Sequence, residues 1–550
     1  MIQSYMGALP AVALVTMSLS VASAQVSEVW SRSYNGSGNG FDQIYAMTID
    51  GAGNVYVTGS TYSGGATGVD MATIKYNPDG DSLWVRKYNG PGNSTDIGRS
   101  IAVDADGSVF VTGESRSGSS SGTEDFLTIK YLANGDTAWT RRYDGLGGLG
   151  DFPAGLALDD SGNVYVTGGS NSGASGNDII VVKYNNDGVE QWVSRFEGTA
   201  TFGFSDYSYG IAVDPVTGNA HVVGHADNLN TFWDLTTLKY DRYGTKVWHR
   251  TYAGPVNNVS EKGEAITIDA AGNVYITGSS NGTNSSTDIV TIKYSADGTE
   301  QWTRRFDRNQ LIDDPFAIAV DPAGNVLVGG ESGNDYVLIK YSPSGDSLWA
   351  RWYNGTANLT DQVYAIAVDG DGDIYVTGRS GGNGSSYDIV TIKYTAAGDS
   401  VWGVRFNGTG SFNDEATAIK IDHLGHIYVA GMSTGTGESG NFHLVKYMES
   451  TPTSVSDGRI AGPSDFVLLQ NYPNPFNGIT SFDIRLTQRG RIDLKVFDSL
   501  GRVVATVVNG LHEAGVHRFR WNSGDAPSGT YWYRLIVGEK SETRSMVLIK

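Results

Sequence analysis

Acidic residues recur at two fixed positions of a repeating sequence, and carboxylates are groups that bind cations or act as acids and bases. The first series lies eight residues before an Asp that closes a short strand. It comprises Asp42, Asp96, Asp151, Asp206, Glu261, Asp313, Asp361 and Asp414. The second series lies six residues before the Tyr of a Lys-Tyr pair, with Asn in the last copy. It comprises Asp70, Asp125, Asp178, Asp234, Asp288, Asp335, Asp388 and Asn441.

Two interpretations of these acids stay open. In the functional one, a ring of carboxylates collects cations, with Ca²⁺ as the candidate, or hydrogen-bonds a glycan. In the structural one, each acid accepts from turn N–H groups and fixes a joint between repeats. Eightfold repetition favours the structural interpretation, because a catalytic site breaks symmetry and a framework residue need not. We keep the first series as the candidate binding residues.

A third acidic group resembles the start of a calcium loop. Asp369, Asp371 and Asp373 alternate with glycines, as the first ligands of such a loop do. The segment lacks the later Glu that would supply bidentate ligation, and it is in register with the other hairpins. These three residues are therefore candidate metal ligands, with an ordinary acidic turn as the alternative.

Other catalytic chemistry finds little support. The chain has no Cys, which excludes thiolate metal sites and disulfides. It contains no G-x-S-x-G, H-E-x-x-H or phosphate loop. His221 and His225 are four residues apart on a strand, roughly 13 Å, and cannot share one metal. We predict no catalytic residue and no cofactor beyond Ca²⁺.

The elements that position these acids are short strands. Residues 265–306 contain four runs with alternating polarity and many β-branched or aromatic residues, separated by Gly-containing gaps. A period of about 50 residues made of four strands is typical of a propeller blade. The second-to-third and fourth-to-first connections are the longer and more variable ones, so we expect binding on that face. In the fifth repeat, loop 279–287 departs most from the others.

Counting the repeats predicts a closed ring. The strand-closing Asp and the Lys-Tyr pair each occur eight times, whereas the Trp of the fourth strand occurs seven times up to residue 448. Trp30 supplies the eighth, so an N-terminal strand would complete the last blade and remove a free sheet edge. We therefore predict an all-β fold in which residues 26–448 form an eight-bladed β-propeller. Two smaller rings or an open array are the alternatives.

The repeat also resembles known families. The phrase D-x-x-G-N-V-Y-V-T-G, followed by D-[IF]-x-T-I-K-Y-x-x-x-G-x-x-x-W, resembles the bacterial SBBP β-propeller repeat over residues 37–448. This resemblance implies the fold and says little about function. The K-Y-x-x-x-G-x-x-x-W part is similar to the Trp-docking repeat of pyrroloquinoline-quinone propellers, although the vicinal Cys pair usual in those enzymes is missing.

The N-terminal residues read as an export signal. Residues 8–23 are apolar and small, and Ala22-Ser23-Ala24 offers a cleavage site between Ala24 and Gln25. The leading segment lacks Lys and Arg, which departs from the usual pattern. We expect residues 1–24 to be a signal peptide and the mature chain to have no transmembrane segment.

Residues 466–550 read as a different domain after a Ser/Thr/Pro/Gly-rich linker at 449–465. Six or seven strands in about 85 residues suggest a small β-sandwich of immunoglobulin-like type. The domain is similar to the type A C-terminal sorting domain of type IX secretion. The residues that carry this resemblance are Asn471, Tyr472, Pro473, Asn474, Pro475, Phe476, Gly529, Tyr531 and Lys550. The resemblance implies the type IX machinery as partner, removal of the domain, and release or surface attachment in a Gram-negative bacterium. A permanent adhesion-type sandwich is the alternative.

The net charge of the chain makes some classes of binding partner unfavourable. A formal net charge of −20 is unfavourable for duplex DNA or an anionic membrane. Our leading hypothesis is a secreted or cell-surface, monomeric binding module for a glycan, protein or cation. The alternatives are an extracellular polysaccharide lyase or hydrolase that uses loop carboxylates, and a quinone-dependent oxidoreductase.

Overall fold

The computed structural model describes residues 25–550 apart from gaps at 66–67, 119–121, 146–147, 174–175, 200–204, 229–230, 257–258, 284–285, 411, 438, 451–465, 469–470, 472–475, 477, 487, 499–501, 525, 539 and 549–550. Ala24, Tyr472, Pro473, Asn474, Pro475 and Lys550 lie outside the described residues. Within them every regular element is a strand, so the all-β prediction is confirmed. None of these residues belongs to a helix that is long and apolar enough to cross a membrane.

Strands are numbered along the chain, beginning with β1 (Gln25–Tyr34). Residues 43–450 then repeat four strands. The first strands are β2 (Gln43–Ile49), β6 (Asp96–Val103), β10 (Asp151–Leu158), β14 (Tyr207–Val213), β18 (Lys262–Ile268), β22 (Asp313–Val320), β26 (Asp361–Val368) and β30 (Glu415–Ile421). The second strands are β3 (Val55–Gly64), β7 (Val109–Arg116), β11 (Val164–Asn171), β15 (Ala220–Asn228), β19 (Val274–Asn281), β23 (Val326–Ser332), β27 (Ile374–Gly381) and β31 (Ile427–Thr434).

The third strands are β4 (Gly68–Tyr76), β8 (Glu124–Tyr131), β12 (Asn177–Tyr184), β16 (Thr231–Tyr240), β20 (Thr287–Tyr294), β24 (Asp335–Tyr341), β28 (Tyr387–Tyr394) and β32 (Gly440–Ser450). The fourth strands are β5 (Ser82–Tyr88), β9 (Thr137–Tyr143), β13 (Glu190–Phe196), β17 (Lys246–Tyr252), β21 (Glu300–Phe306), β25 (Ser347–Tyr353) and β29 (Ser400–Phe406).

These strands form eight four-stranded antiparallel sheets among the described residues. Sheets 1 to 7 each use four consecutive strands, and sheet 8 combines β30, β31 and β32 with β1. β1 pairs with β32 over its full length, from Gln25↔Ser450 to Tyr34↔Phe442. β32 therefore continues two residues past position 448, because β1 provides its ladder partners. Repeated four-stranded sheets of this kind are consistent with a β-propeller.

Consecutive sheets pack face to face. The first strand of each sheet contacts the first strand of the next, and β2 likewise contacts β30. Sheets 1 and 8 share one hydrophobic cluster that includes Ile44, Val57, Tyr428 and Leu444. In addition, the Thr417 hydroxyl donates to the carbonyl of Ile44 at 2.9 Å. The sheet that contains the N-terminal strand therefore packs against the first sheet of the chain.

In most sheets the Trp and the Lys hydrogen-bond to the next sheet. Trp84 Nε1 and Lys75 Nζ both donate to the carbonyl of Ala133, at 3.2 and 3.3 Å. Trp30 Nε1 and Lys446 Nζ from sheet 8 donate in the same way to Pro78 of sheet 1, at 3.1 and 3.0 Å. The indole lies flat on a turn glycine, and a Cβ on Gly80 would come within 2.7 Å of the Trp30 ring.

One joint uses a substitute acceptor. Sheet 8 differs from the others because its fourth strand is β1, which precedes β32 in the chain instead of following it. Glu449 takes the place of the turn carbonyl: its Oε1 accepts from Trp402 Nε1 at 2.7 Å and its Oε2 pairs with Lys393 at 2.8 Å. A carboxylate at the end of β32 thus provides the acceptors for Trp402 and Lys393 at the joint between sheets 7 and 8.

The Asp that closes each first strand organises a hairpin. In the first repeat, Asp50 Oδ1 accepts from the N–H groups of Ala52 and Asn54 at 2.9 Å, and Oδ2 accepts from Tyr56 at 2.8 Å. These bonds replace the ones that the turn backbone cannot make to itself.

The candidate calcium segment adopts the same hairpin. Asp369 Oδ1 accepts from the N–H groups of Asp371 and Asp373 at 3.0 and 2.9 Å, and Oδ2 accepts from Tyr375 at 3.1 Å. Asp373 also pairs with Lys393 at 3.1 Å. The carboxylates of Asp369 and Asp373 are thus already engaged by protein groups. Calcium binding at this hairpin stays a prediction.

The C-terminal residues form two further sheets. The first contains β33 (Phe466–Leu468), β34 (Ile479–Leu486) and β37 (Gly515–Asn522); the second contains β35 (Gly490–Phe497), β36 (Val503–His512), β38 (Gly529–Val537) and β39 (Lys540–Leu548). Both sheets contribute to one hydrophobic cluster, with Phe482, Leu494 and Tyr533 fully buried.

The described residues of the sorting motif lie in or around this core. The N–H of Asn471 donates to the Tyr533 hydroxyl at 2.8 Å. Phe476 is 2% exposed and bridges to Leu548. Gly529 begins β38, and the Tyr531 hydroxyl donates to the carbonyl of Pro527 at 2.7 Å. These residues fix the domain's own fold.

Candidate functional site

The first acid series lies at the joints between sheets, where it bonds to backbone. Asp42 Oδ2 accepts from the backbone N–H of Gly36 at 2.7 Å, and its Oδ1 accepts from the backbone N–H of Tyr62 at 2.6 Å. Six of the other seven acids, all but Glu261, accept a similar bond from a backbone N–H group. The donors are Gly90, Gly145, Gly198, Arg308, Gly355 and Gly408. All eight acids are at most 2% exposed. This geometry favours the structural interpretation of the series.

Two members of the series titrate far from the usual range of a carboxyl. Burial raises the pKa of Asp206 to about 7, against the opposing effect of two backbone N–H donors. Burial also raises the pKa of Glu261 to about 7, with Ser280 and Arg305 acting against the rise. Neither oxygen of Glu261 makes a hydrogen bond of good geometry among the described residues, although Ser280 and the N–H of Asn281 lie near enough to lower its pKa. Glu261 is thus the weakest joint of the series.

The second acid series mostly pairs with arginine. Arg195 and Arg305 donate to Asp178 and Asp288, each at 2.6 Å, in sheets 3 and 5. Arg142 pairs likewise with Asp125, and Arg405 with Asp388. These guanidinium groups come from the fourth strand, so the pairs tie two strands of one sheet together.

A β-bulge interrupts every first strand three residues after its acid. In sheet 4 the register shifts between Ser208 and Gly210, which leaves Tyr209 without a partner on β15. The same shift occurs in all eight first strands. A bulge re-aims the extra side chain. The residues at this position, which we call the bulge residues, are Tyr45, Arg99, Ala154, Tyr209, Glu264, Phe316, Tyr364 and Thr417.

The bulge residues differ in chemistry although the bulge itself is constant. The position two residues earlier varies as well, from Tyr207 through Lys262 to Asp314. Both positions are half-buried in these sheets, whereas the acids beside them are buried. The repeat thus combines a constant backbone feature with variable side chains. Such a combination is typical of a binding surface on a rigid frame.

A cavity of about 550 Å³ lies at the bulges of sheets 4, 5 and 6. We call it the bulge pocket. Its wall includes Tyr209, Trp233, Lys262, Glu264, Asp314 and Phe316, together with Ser279, Asn281 and Thr287. The last three belong to or flank the fifth-repeat loop that departs most from the other copies. Its volume lies within the range of small-molecule sites.

Charged and aromatic groups alternate on the wall. Lys262 Nζ lies 2.7 Å from Glu264 Oε1 and 4.2 Å from the centroid of the Tyr209 ring. His225 lies behind this surface, with its ring centroid 4.7 Å from that of Trp233. The ring nitrogens of His225 have no hydrogen-bond partner among the described residues, and burial lowers its pKa to about 4. His225 is therefore an apolar, neutral support for Trp233 near neutral pH.

Two carboxyls of the pocket are electrostatically perturbed. Burial raises the pKa of Glu264; Lys262 opposes this rise and Asp314 adds to it. Burial likewise raises the pKa of Asp314, against the effects of Ser279 and Lys262. Perturbed carboxyls in a cleft are typical of functional sites.

From the second strand of sheet 6 to the first strand of sheet 1, polar side chains on this side pair with one another instead. Gln362 Nε2 donates to Glu331 at 2.6 Å, and its Oε1 accepts from Arg379 at 2.8 Å. Arg379 then pairs with Glu415 at 3.1 Å, and Glu415 accepts from Gln43 at 3.2 Å. This network satisfies the polar groups on that side, whereas the bulge pocket stays open.

Sequence reasoning selected the acids and missed the pocket. It singled out the positions where the repeat agrees with itself, such as Asp313, and passed over Asp314 beside it. A signal was present: the three positions that follow each acid are the ones where the copies disagree most within the first strand. The bulge that brings both positions to one surface has no residue pattern of its own.

Comparison with protein families agrees with both parts of the chain. The Beta-propeller repeat family matches residues 83–118, 139–173, 250–284 and 349–384. The Secretion system C-terminal sorting domain family matches residues 470–550. The chain therefore carries SBBP-type β-propeller repeats followed by a type IX secretion sorting domain. The sorting domain points to secretion or the cell surface and to interaction with the type IX machinery.

One curated relative is the Regulatory protein FlaEY of Caulobacter vibrioides, which is 32% identical over 181 residues. That match covers 29% of this chain, and the chain spans 18% of the relative's length.

Several solved structures align with the chain at low identity. An inactive virginiamycin B lyase from Staphylococcus aureus, solved with quinupristin, is 14% identical with a TM-score of 0.39, covering 76% of this chain and 99% of that one. A fungal alcohol oxidase solved with copper is 11% identical with a TM-score of 0.41, covering 96% and 100%. An ulvan lyase solved with an oligosaccharide is 10% identical with a TM-score of 0.37, covering 67% and 94%.

Proposed function

We propose that this chain is an exported propeller that binds a saccharide in the bulge pocket. The observation that carries the proposal is the pocket itself: one cavity of about 550 Å³ where variable side chains break an otherwise repeated surface. The rings of Tyr209, Trp233 and Phe316 offer apolar faces to the C–H groups of a sugar. Lys262, Glu264 and Asn281 offer donors and acceptors to its hydroxyls. Aromatic faces with a few placed polar groups are typical of ligand sites.

The scaffold of this site is proposed to be a closed eight-bladed propeller over residues 26–448. The contacts of sheet 8 with sheet 1 support closure, since Trp30 and Lys446 reach Pro78 as Trp84 and Lys75 reach Ala133. A closed ring has no exposed sheet edge, which favours a monomer. The two C-terminal sheets that share one core support an immunoglobulin-like sandwich over residues 466–550.

Export is proposed to proceed in two steps in a Gram-negative bacterium. A signal peptide at residues 1–24 would direct the chain across the inner membrane. The sorting domain would then lead it through the type IX machinery and be removed within 449–465. Deleting residues 466–550 is expected to leave the propeller in the periplasm, measured by cell fractionation. Normal appearance of the truncated chain at the surface would refute this route.

The binding proposal is tested with the full chain on an array of neutral and acidic polysaccharides, followed by calorimetry on the best hit. Trp233→Ala and Phe316→Ala are expected to weaken binding at least tenfold, because each removes an aromatic face of the pocket. Two matched controls are expected to bind normally: Phe232→Ala, which removes an exposed neighbour of Trp233, and Tyr45→Ala, which removes a bulge residue outside the pocket. Equal losses in all four variants, or no hit at all, would overturn the proposal.

A polysaccharide lyase or hydrolase is the second candidate, favoured by the raised pKa of Glu264 and Asp314. A carboxyl with a raised pKa is suited to act as a general acid. The first acid series does not supply this chemistry, because most of its carboxylates already accept from backbone N–H groups. Release of new reducing ends or unsaturated products from the array hit, lost in Glu264→Gln, would favour the enzyme. Binding without products would favour the module.

A further inference from the structure

We propose that two joints between sheets are Ca²⁺ sites, each formed by three carboxylates. One joins sheets 5 and 6 through Asp288, Asp307 and Asp313, and the other joins sheets 2 and 3 through Asp125, Asp144 and Asp151. In each group, one carboxylate oxygen from every residue lies within 4.8 Å of the others. Calcium takes oxygen ligands at about 2.3–2.6 Å, so an ion between the three oxygens would reach all of them.

The joint of sheets 5 and 6 contains buried polar atoms that lack partners. Asp313 is fully buried and Asp288 is 4% exposed, yet Oδ1 of each has no hydrogen-bond partner among the described residues. The other oxygens are engaged: Asp288 Oδ2 accepts from Arg305 at 2.6 Å, and Asp313 Oδ2 accepts from the N–H of Arg308 at 2.8 Å. A buried carboxylate oxygen without a partner is costly, and a cation removes that cost.

A neutral side chain points to the same place. Ser332 pairs with Asp313 in the register of β22 and β23. It is fully buried, and its hydroxyl makes no hydrogen bond of good geometry among the described residues, although it lies near enough to Asp313 to interact with that carboxyl. A hydroxyl oxygen beside Asp313 adds a neutral donor atom of the kind that calcium accepts. The joint therefore offers oxygen ligands from two sheets.

The charge at the joint matches a divalent cation. Three carboxylates and the guanidinium of Arg305 leave a net charge of about −2 when all are ionised. Asp307 is exposed, which gives the ion and its remaining water ligands a route to solvent.

Among the described residues, three carboxylates lie within 4.8 Å of one another only at these two joints. The position of the third carboxylate is Glu197 at the joint of sheets 3 and 4 and Ala253 at the joint of sheets 4 and 5. Asp144 and Asp307 follow the last aromatic residue of their fourth strands, where four other repeats have Asn35, Asn89, Asn354 and Asn407. At the joint with Asn354, both oxygens of Asp361 accept from backbone N–H groups. At the joint with Asn89, Oδ1 of Asp70 and of Asp96 lacks a partner among the described residues. That joint has two of the three acids.

The test counts calcium ions bound to the EDTA-treated full chain by equilibrium dialysis. The wild type is expected to bind two ions, Asp307→Asn one, and the double variant Asp144→Asn with Asp307→Asn none. Asn occurs naturally at this position in other repeats, so these variants are expected to fold. As a matched control, Asp371→Asn in the exposed hairpin is expected to leave two ions.

A variant that creates a third calcium site tests the proposal without relying on loss of binding. Asn89→Asp supplies the third carboxylate at the joint of Asp70 and Asp96 and is expected to raise the stoichiometry to three. No calcium binding at millimolar concentration, or a stoichiometry that Asp307→Asn leaves unchanged, would overturn the proposal.

Discussion

Asp313 and Asp314 are neighbours on β22, yet they belong to different parts of the molecule. Asp313 faces the joint between sheets, is fully buried, and accepts from the N–H of Arg308. Asp314 faces the bulge pocket, where Lys262 is its nearest opposing charge. Successive side chains of a strand point to opposite sides. One strand therefore carries the framework on one side and the candidate ligand surface on the other.

This difference explains why repetition and function separate in this chain. An acid or acid-like residue must recur at the joint, because every joint presents similar backbone N–H groups. The pocket positions do not accept from these repeated backbone groups, so each copy is free to differ. The positions that look most meaningful in the aligned repeats are thus framework, and the candidate site occupies the positions that look random.

The largest expected effect on the framework comes from Trp30. Trp30→Ala removes a side chain that is 8% exposed and packs sheet 8 against sheet 1. We expect it to lower the free energy of unfolding by about 3–5 kcal/mol, as Trp139→Ala should at an internal joint. Urea denaturation followed by tryptophan fluorescence measures both.

Trp352 on β25 is 45% exposed and provides the control. Trp352→Ala is expected to lower the free energy of unfolding by less than about 1 kcal/mol. A cost for Trp30→Ala as small as that of Trp352→Ala would mean that β1 does not close the ring.

Glu261→Gln is expected to give the next largest change in the free energy of unfolding, with a size that depends on pH. Its pKa of about 7 lies above the ordinary value of 4.5. The folded state therefore holds the proton more tightly than the unfolded state, and stability is lost as pH rises from about 4.5 through about 7. Glu261→Gln removes this loss and is expected to stabilise the protein by roughly 2–3 kcal/mol at pH 8 and very little at pH 4.

Thermal melts of both proteins across this pH range check the prediction. A variant that is less stable than the wild type at pH 8 would contradict the view that Glu261 is an unsatisfied framework acid.

Asp361 and Asp314 compare the two sides of the strand directly. Asp361→Asn replaces a carboxylate oxygen by an amide where two backbone N–H groups donate, at 2.7 and 3.1 Å. We expect a loss of about 1–3 kcal/mol, because one N–H is left facing another donor. Asp314→Asn should cost less than about 0.5 kcal/mol, since neutralising a carboxyl whose pKa is raised relieves burial of charge. Equal losses in urea denaturation would erase the distinction between joint and pocket.

Phe316→Ala is also expected to have only a small effect on stability. Phe316 is a half-buried bulge residue whose ring lies 5.3 Å from that of Tyr364. Its removal is expected to change the free energy of unfolding by less than about 1 kcal/mol, although it removes an aromatic face from the pocket. A thermal shift assay run beside the binding assay separates the two effects. A large loss of stability would place Phe316 in the framework instead.

Local patterns predicted much of the architecture. Alternation and β-branched residues predicted four strands per repeat, and the strands are observed with similar bounds. The displaced Trp30 predicted the pairing of β1 with β32, because a repeat lacking its last strand must find one elsewhere. The acid series was predicted as a candidate site, but the joint geometry favours framework. No residue pattern indicates the bulge in the first strands, so the sequence did not predict the pocket.

The sequence by itself determined the strands, the hairpins, the sheet count and the sorting domain, since each depends on contacts between residues close in the chain or on a repeated phrase. Only the tertiary structure decided which acids meet across a joint and which side chains share a pocket. Asp288 and Asp313 meet because two sheets pack face to face, and Trp233 and Phe316 line one cavity because three sheets lie side by side. Such groupings follow from the packing of whole sheets, which no local pattern encodes.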